Sequence, residues 1–140
     1  MITARITGVK INTLTLKRAV DNASIGPLER AGALVEATAK RLMRKGGGRG
    51  RTGPRGGIVR VPSAPGTPPH VQTGALRASV SHAITHRPSG SPLAIAGPTV
   101  KYGAPHEFGS RTHPRRAFME PALRRALPKI TRLFWGMPLK

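Results

Sequence analysis

The chain has 140 residues, 14.9 kDa, no cysteine, and 24 Lys+Arg against 5 Asp+Glu, for a formal net charge of +19. That length fits one domain with an arm or long loop, and the missing thiols exclude a disulfide framework, a thiolate metal site and a cysteine nucleophile. Leu, Ile, Val and Phe together make 30 residues, about 21%, so the core is thin and self-repulsion works against compactness.

Ile2, Ala4 and Ile6 alternate with polar residues and predict a short strand ended by Gly8. The stretch Val9 to Val20 is read as a short helix from about Asn12, broken by Asp21-Asn22-Ala23-Ser24. A clear helix follows from about Ile25 to Lys45, because Leu28, Ala31, Val35, Ala39 and Leu42 recur at steps of three and four. Pro27 suits its first turn, Glu29 its positive end and Lys40, Arg41, Arg44 and Lys45 its negative end, before Gly46-Gly47-Gly48 stops it.

Residues 46–72 form a long basic Gly/Arg/Pro loop, in which only Ile58 to Val61 has strand character. So long a loop has too little apolar surface to offset its ordering entropy, so it is expected to be mobile until a partner orders it. Beyond Thr73-Gly74, Leu76, Ala78 and Val80 alternate with polar residues and predict a strand that continues loosely to Ile84. A turn over Arg87 to Pro92 and a returning strand from Leu93 to Ala96 complete a β-hairpin, ended by Gly97-Pro98. The last helix is expected from about Phe118 to Trp135, with Pro121 in its first turn. Leu123, Leu127, Ile130 and Phe134 would be its buried stripe, and Pro128 would kink it. The fold class is therefore α+β: a long helix in the N-terminal half, an antiparallel hairpin and a C-terminal helix, in a single domain over 1–140.

Charge is unevenly spread. From Ala37 to His106 there is no carboxylate, yet eleven basic residues fall there. Such an excess goes beyond what solubility needs and points to an acidic or phosphate-bearing partner. Arg44, Lys45, Arg49, Arg51, Arg55 and Arg60 are the candidate contacts. Aromatic residues for base stacking are absent from that tract, so any nucleic-acid contact would be to phosphate. All five aromatic residues, Tyr102, Phe108, Phe118, Phe134 and Trp135, read as core.

Catalytic chemistry finds little support, because nothing in the spacing brings two of the five carboxylates together. His106, Glu107 and His113 have the wrong spacing for a zinc-binding helix, and the Gly-rich tract lacks the Gly-Lys-Ser/Thr ending of a phosphate-binding loop. No catalytic residue, metal or cofactor is assigned. No apolar run approaches the roughly 20 residues that cross a bilayer, and no signal-peptide pattern opens the chain.

Three blocks carry a more specific signal. The first is Ser63-Ala64-Pro65-Gly66-Thr67-Pro68-Pro69 followed by Thr73-Gly74-Ala75-Leu76-Arg77-Ala78-Ser79-Val80; the second is Tyr102-Gly103-Ala104-Pro105-His106-Glu107-Phe108-Gly109-Ser110; the third is Pro114-Arg115-Arg116-Ala117-Phe118-Met119-Glu120-Pro121-Ala122-Leu123. In that order they resemble the gene-ten-like tail-completion, or head–tail joining, family of long-tailed phages. The likeness covers roughly residues 60–125, and less specifically the helix at 25–45, with Thr73, Gly74, Leu76, Arg77, Tyr102, Glu107, Phe108, Gly109, Phe118 and Pro121 as its motif residues. Ala117 stands where the family usually has proline, and the basic tract is longer than the family norm.

The resemblance implies a structural, non-enzymatic protein of the virion neck, made in the host cytoplasm and present in several copies around a symmetric ring. Its implied partners are the connector or stopper, the tail terminator and the tail tube, with non-specific contact to genomic DNA. Composition alone favours a different reading, a ribosomal-like or nucleoid-like nucleic-acid-binding module. Read physically, Phe108 and Phe118 are expected as apolar anchors, and Glu107 as the partner of Arg77, of Arg116 or of backbone N–H groups. Leu133, Trp135 and Leu139 suggest a subunit interface, formed on assembly rather than by the isolated chain.

Overall fold

A computed structural model describes residues 13–43, 51–52, 56, 58–59 and 62–135. The expected strand at Ile2–Ile6 lies outside the described residues. Helix α1 spans Thr13–Leu42, strands β1 and β2 are Arg51–Thr52 and Ile58–Val59, and helix α2 is Ala75–Ser79. Strands β3 (Val80–His86) and β4 (Pro92–Pro98), helix α3 (Gly103–Phe108) and helix α4 (Met119–Trp135) follow. The fold is α+β. The β3–β4 hairpin and α4 both pack on α1, which is the common support.

Helix α1 runs unbroken where the sequence suggests two helices. Asp21 and Ser24 do not interrupt it because their polar groups bond inside the helix. Lys17 Nζ meets Asp21 Oδ2 at 3.1 Å, and Ser24 Oγ donates to the Asp21 carbonyl at 2.8 Å. Lys17 also donates to the Ser89 carbonyl at 3.1 Å, tying the helix to the hairpin turn. Pro27 therefore lies in the helix interior, not in a first turn.

The long loop is not wholly irregular. β1 and β2 pair antiparallel, Arg51 opposite Val59 and Thr52 opposite Ile58. Gly56, at φ 75°, lies between them, in the left-handed region that a tight reversal needs.

Hairpin β3–β4 pairs Val80 with Pro98 through to His86 with Pro92, so β4 extends past the expected stop at Gly97. Its turn closes with Arg87 N–H donating to the Ser91 carbonyl and Gly90 N–H to the Arg87 carbonyl. Residues 75–79, expected as strand, form a helical turn instead. Leu76 and Val80 both face the core, four residues apart, while Ala78 between them is exposed. A spacing of four satisfies one helical turn as well as two strand repeats, and Gly74 at φ 88° sets the helical choice.

The core joins Val35, Ala39 and Met43, Val80 of β3, and Phe118, Ala122 and Ala126 of the C-terminal segment. In α4 the predicted stripe has the right period and the wrong phase. Ala122 and Ala126 are buried and Ile130 packs beside them, whereas Leu123 is 49% exposed, Leu127 53% and Phe134 45%. Small side chains at the contact let α4 approach α1 closely, which turns the larger leucines outward. Phe118 is fully buried as expected. Phe108, at 77% exposure, is no core anchor, and Tyr102, Phe134 and Trp135 also lie open. Of the suggested interface residues, Trp135 is exposed, Leu133 is half-buried and Leu139 lies outside the described residues.

Candidate functional site

The three sequence blocks converge in space, and Glu107 is the joint. Its carboxylate accepts three backbone hydrogen bonds: Oε2 from Phe118 N–H at 2.8 Å and Met119 N–H at 2.9 Å, Oε1 from Glu120 N–H at 2.9 Å. A helix N-terminus leaves its first N–H groups without intrahelical partners. In α4 the count closes: Pro121 has no N–H, and Ala122 N–H already reaches the Phe118 carbonyl at 3.2 Å. One buried acid from α3 therefore satisfies the buried N-terminal end of α4, with its charge placed at the positive pole of the helix. Of the partners expected for Glu107, the backbone groups hold it; neither Arg77 nor Arg116 pairs with its carboxylate.

Both arginines of the third block reinforce the joint through carbonyls. Arg115 Nε donates to the Glu107 carbonyl at 3.0 Å and Arg116 Nε to the Ser63 carbonyl at 2.9 Å. Arg115 also pairs with Glu120. Backbone bonds from Arg116 N–H to the His106 carbonyl and from Gly66 N–H to the Arg115 carbonyl complete the seam between residues 63–66, 106–109 and 115–116. Gly109 must be glycine here. Its φ is 80°, and a Cβ would sit 3.2 Å from Arg115 N. Gly103 is needed for space, since a Cβ there would overlap the Pro98 ring.

Beside this joint opens a cleft of about 420 Å³. Block one supplies Thr73, Gly74, Leu76 and Arg77, block two Tyr102 and His106, and the third adds Arg116, with His113 just ahead of it. The Tyr102 ring stands edge-on to His106, centroids 6.3 Å apart. Two arginines and three histidines (His70, His106 and His113) line the cleft, and no carboxylate does. Burial, then the Arg116 charge, then His113 hold the His106 imidazole below its ordinary 6.5, so it favours the neutral form. The hydroxyl of Ser63, buried in the wall, has no hydrogen-bond partner.

Among the described residues no three His, Cys, Asp or Glu side chains are grouped to hold a metal ion. No described helix is long and apolar enough to cross a membrane. Of the motif residues, Glu107, Gly109, Phe118 and Pro121 build the joint, the exposed Thr73, Arg77 and Tyr102 line the cleft, and Phe108 points into the open away from both. His70 and His113 lie outside the motif residues, and His70 carries no sequence signal that would have placed it at the cleft. The basic-loop candidates Arg44, Lys45, Arg49, Arg55 and Arg60 lie outside the described residues, and Arg51 is described by its backbone only. No family model, curated protein or solved structure matches this chain.

Proposed function

We propose that this chain is a structural protein of the phage head–tail junction, working by fitting protein partners and not by catalysis. Its partners are the connector or stopper, the tail terminator and the tail tube, and several copies stand around a symmetric axis, with incidental contact to DNA phosphate. The observation that supports this reading is the meeting of all three blocks around Glu107 and one cleft. Exposed Leu123, Leu127, Phe134 and Trp135 add an apolar face of the kind that assembly covers. The test is to purify particles from a lysate, probe them for this chain, and image a label attached to it. Label confined to the neck is the expected result. A chain absent from particles but bound to free nucleic acid would favour the second reading, a phosphate-binding module, which the +19 charge supports.

A further inference from the structure

We infer that the cleft between α2, Tyr102 and Arg116 docks an acidic, apolar-flanked segment of a partner protein, seating a carboxylate near Arg77 and Arg116. This names the chemistry of the partner and rests on the assembly reading for its setting.

The charge in the cleft has no answer among the described residues. All five acids of the sequence are among the described residues, and none lines the cleft. Asp21 pairs with Lys17, Glu36 with Lys40 and His82, and Glu120 with Arg115 and Arg124. Glu107 is spent on the N–H groups of α4, and Glu29 is exposed on α1. Arg77 has no hydrogen bond or ion pair among the described residues, and Arg116 uses Nε alone, on a carbonyl. The buried Ser63 hydroxyl adds an unmet polar group to the same wall. A second copy of this chain is a poor occupant, because four of its five acids are engaged in the same way and the fifth, Glu29, stands in the middle of α1 and not on a segment that could enter a cleft.

Shape selects among external anions. A nucleic-acid backbone is gripped on an open cationic surface, whereas this site is concave and partly apolar, with Met43, Val71 and Leu76 in its lining. Its volume, about 420 Å³, suits one or two side chains and not a duplex. A carboxylate beside aliphatic side chains matches both halves of the lining, and Arg is suited to grip it with two parallel N–H groups.

The experiment uses the purified full chain and follows the imidazole proton signals of His70, His106 and His113 by NMR. The probes are a capped Leu-Asp-Leu-Glu-Leu peptide, its Asn/Gln counterpart and a 20-base-pair DNA duplex. The acidic peptide is expected to shift these signals, and Arg77→Gln to weaken it about tenfold, the worth of one charge-assisted contact. Arg77→Glu should abolish binding, while Arg125→Gln on the exposed side of α4 leaves it unchanged. Arg77 is exposed and makes no described bond, so both of its variants should fold, which circular dichroism checks. Equal binding of the neutral peptide, equal loss in Arg125→Gln, or duplex shifting these signals where the peptide does not would each overturn the inference. A failed titration leaves the neck location of the chain standing, because that is read on particles; a chain absent from the neck that still binds the peptide would overturn only the setting.

Discussion

The two sides of α4 answer their exposed chemistry in opposite ways. At its N-terminal end every free backbone N–H is bound by Glu107, and the neighbouring loops are stitched by carbonyl-directed arginines. Along its flank, a groove of about 570 Å³ among α1, β4 and α4 is lined by side chains such as Leu93, Ile95, Leu123 and Ile130, with Glu120 its one charged residue. The free N–H groups of this helix end are satisfied inside the chain, so the joint is a folding device. The groove leaves apolar area of the described residues in water, at about 25 cal/mol for each Å². Stability should therefore be concentrated at the joint and nearly absent from the flank.

The largest expected effect tests the joint. Glu107→Ala strands three N–H groups at a buried helix end, and a loss of about 2–4 kcal/mol follows from the usual cost of an unmet donor and a lost cap. Glu107→Gln keeps one acceptor oxygen and should lose less, while Glu29→Gln on the exposed face of α1 should change the denaturant midpoint by no more than about 0.5 kcal/mol in free energy. Next come the close approaches. Gly103→Ala drives a methyl group into the Pro98 ring at the end of the β3–β4 ladder, and Ala126→Leu forces α4 from α1. Each should cost about 1–3 kcal/mol by overpacking, read from chemical denaturation.

Some of this architecture is visible in the residues and some is hidden for physical reasons. The period of α4 is plain, yet its phase is not, since Ala122-Ala126-Ile130 and Leu123-Leu127-Ile130 both make helical stripes. Hydrophobicity prefers the leucines, and close packing against α1 chose the alanines. The break expected at Asp21–Ser24 is cancelled by bonds inside the helix and by Lys17 reaching Ser89, a residue 72 positions away that no local pattern can connect. Leu76 and Val80 show how a spacing of four hides the choice between a helical turn and a strand. At the candidate site the structure gathers block residues such as Leu76, Tyr102, Glu107 and Arg116 and leaves Phe108 outside, and Glu107 stood out in the sequence as a lone acid. That it serves α4 depended on geometry alone.

Titration gives a smaller contrast between regions. Bonds from Lys40 and then His82, at 2.5 and 2.6 Å, hold the Glu36 carboxyl below its ordinary 4.5 on the α1–β3 side. A carboxyl lowered by folding stabilises fully above its unfolded value and loses that contribution as pH falls through the folded one. Melting curves should therefore drop below pH 4.5, and Glu36→Gln should flatten that part of the profile. His106 acts in a higher window. Because its neutral form is favoured in the folded cleft, stability should begin to fall as pH drops below 6.5, and His106→Gln should remove that component. The smallest effect belongs to the flank: Leu127→Ser, at a half-exposed position, should shift the midpoint by less than about 0.5 kcal/mol in the isolated chain.

Amide hydrogen exchange at Phe118, Met119 and Glu120, compared between the wild-type chain and Glu107→Gln, tests most directly whether one acid closes the joint. The three N–H groups should be protected together in the wild type. In the variant they should exchange faster as a set, while the Ala39 and Ala126 amides in the helix interiors keep most of their protection. Unchanged exchange at all three positions, or equal loss of protection throughout the chain, would contradict the cap as the device that holds the three blocks together.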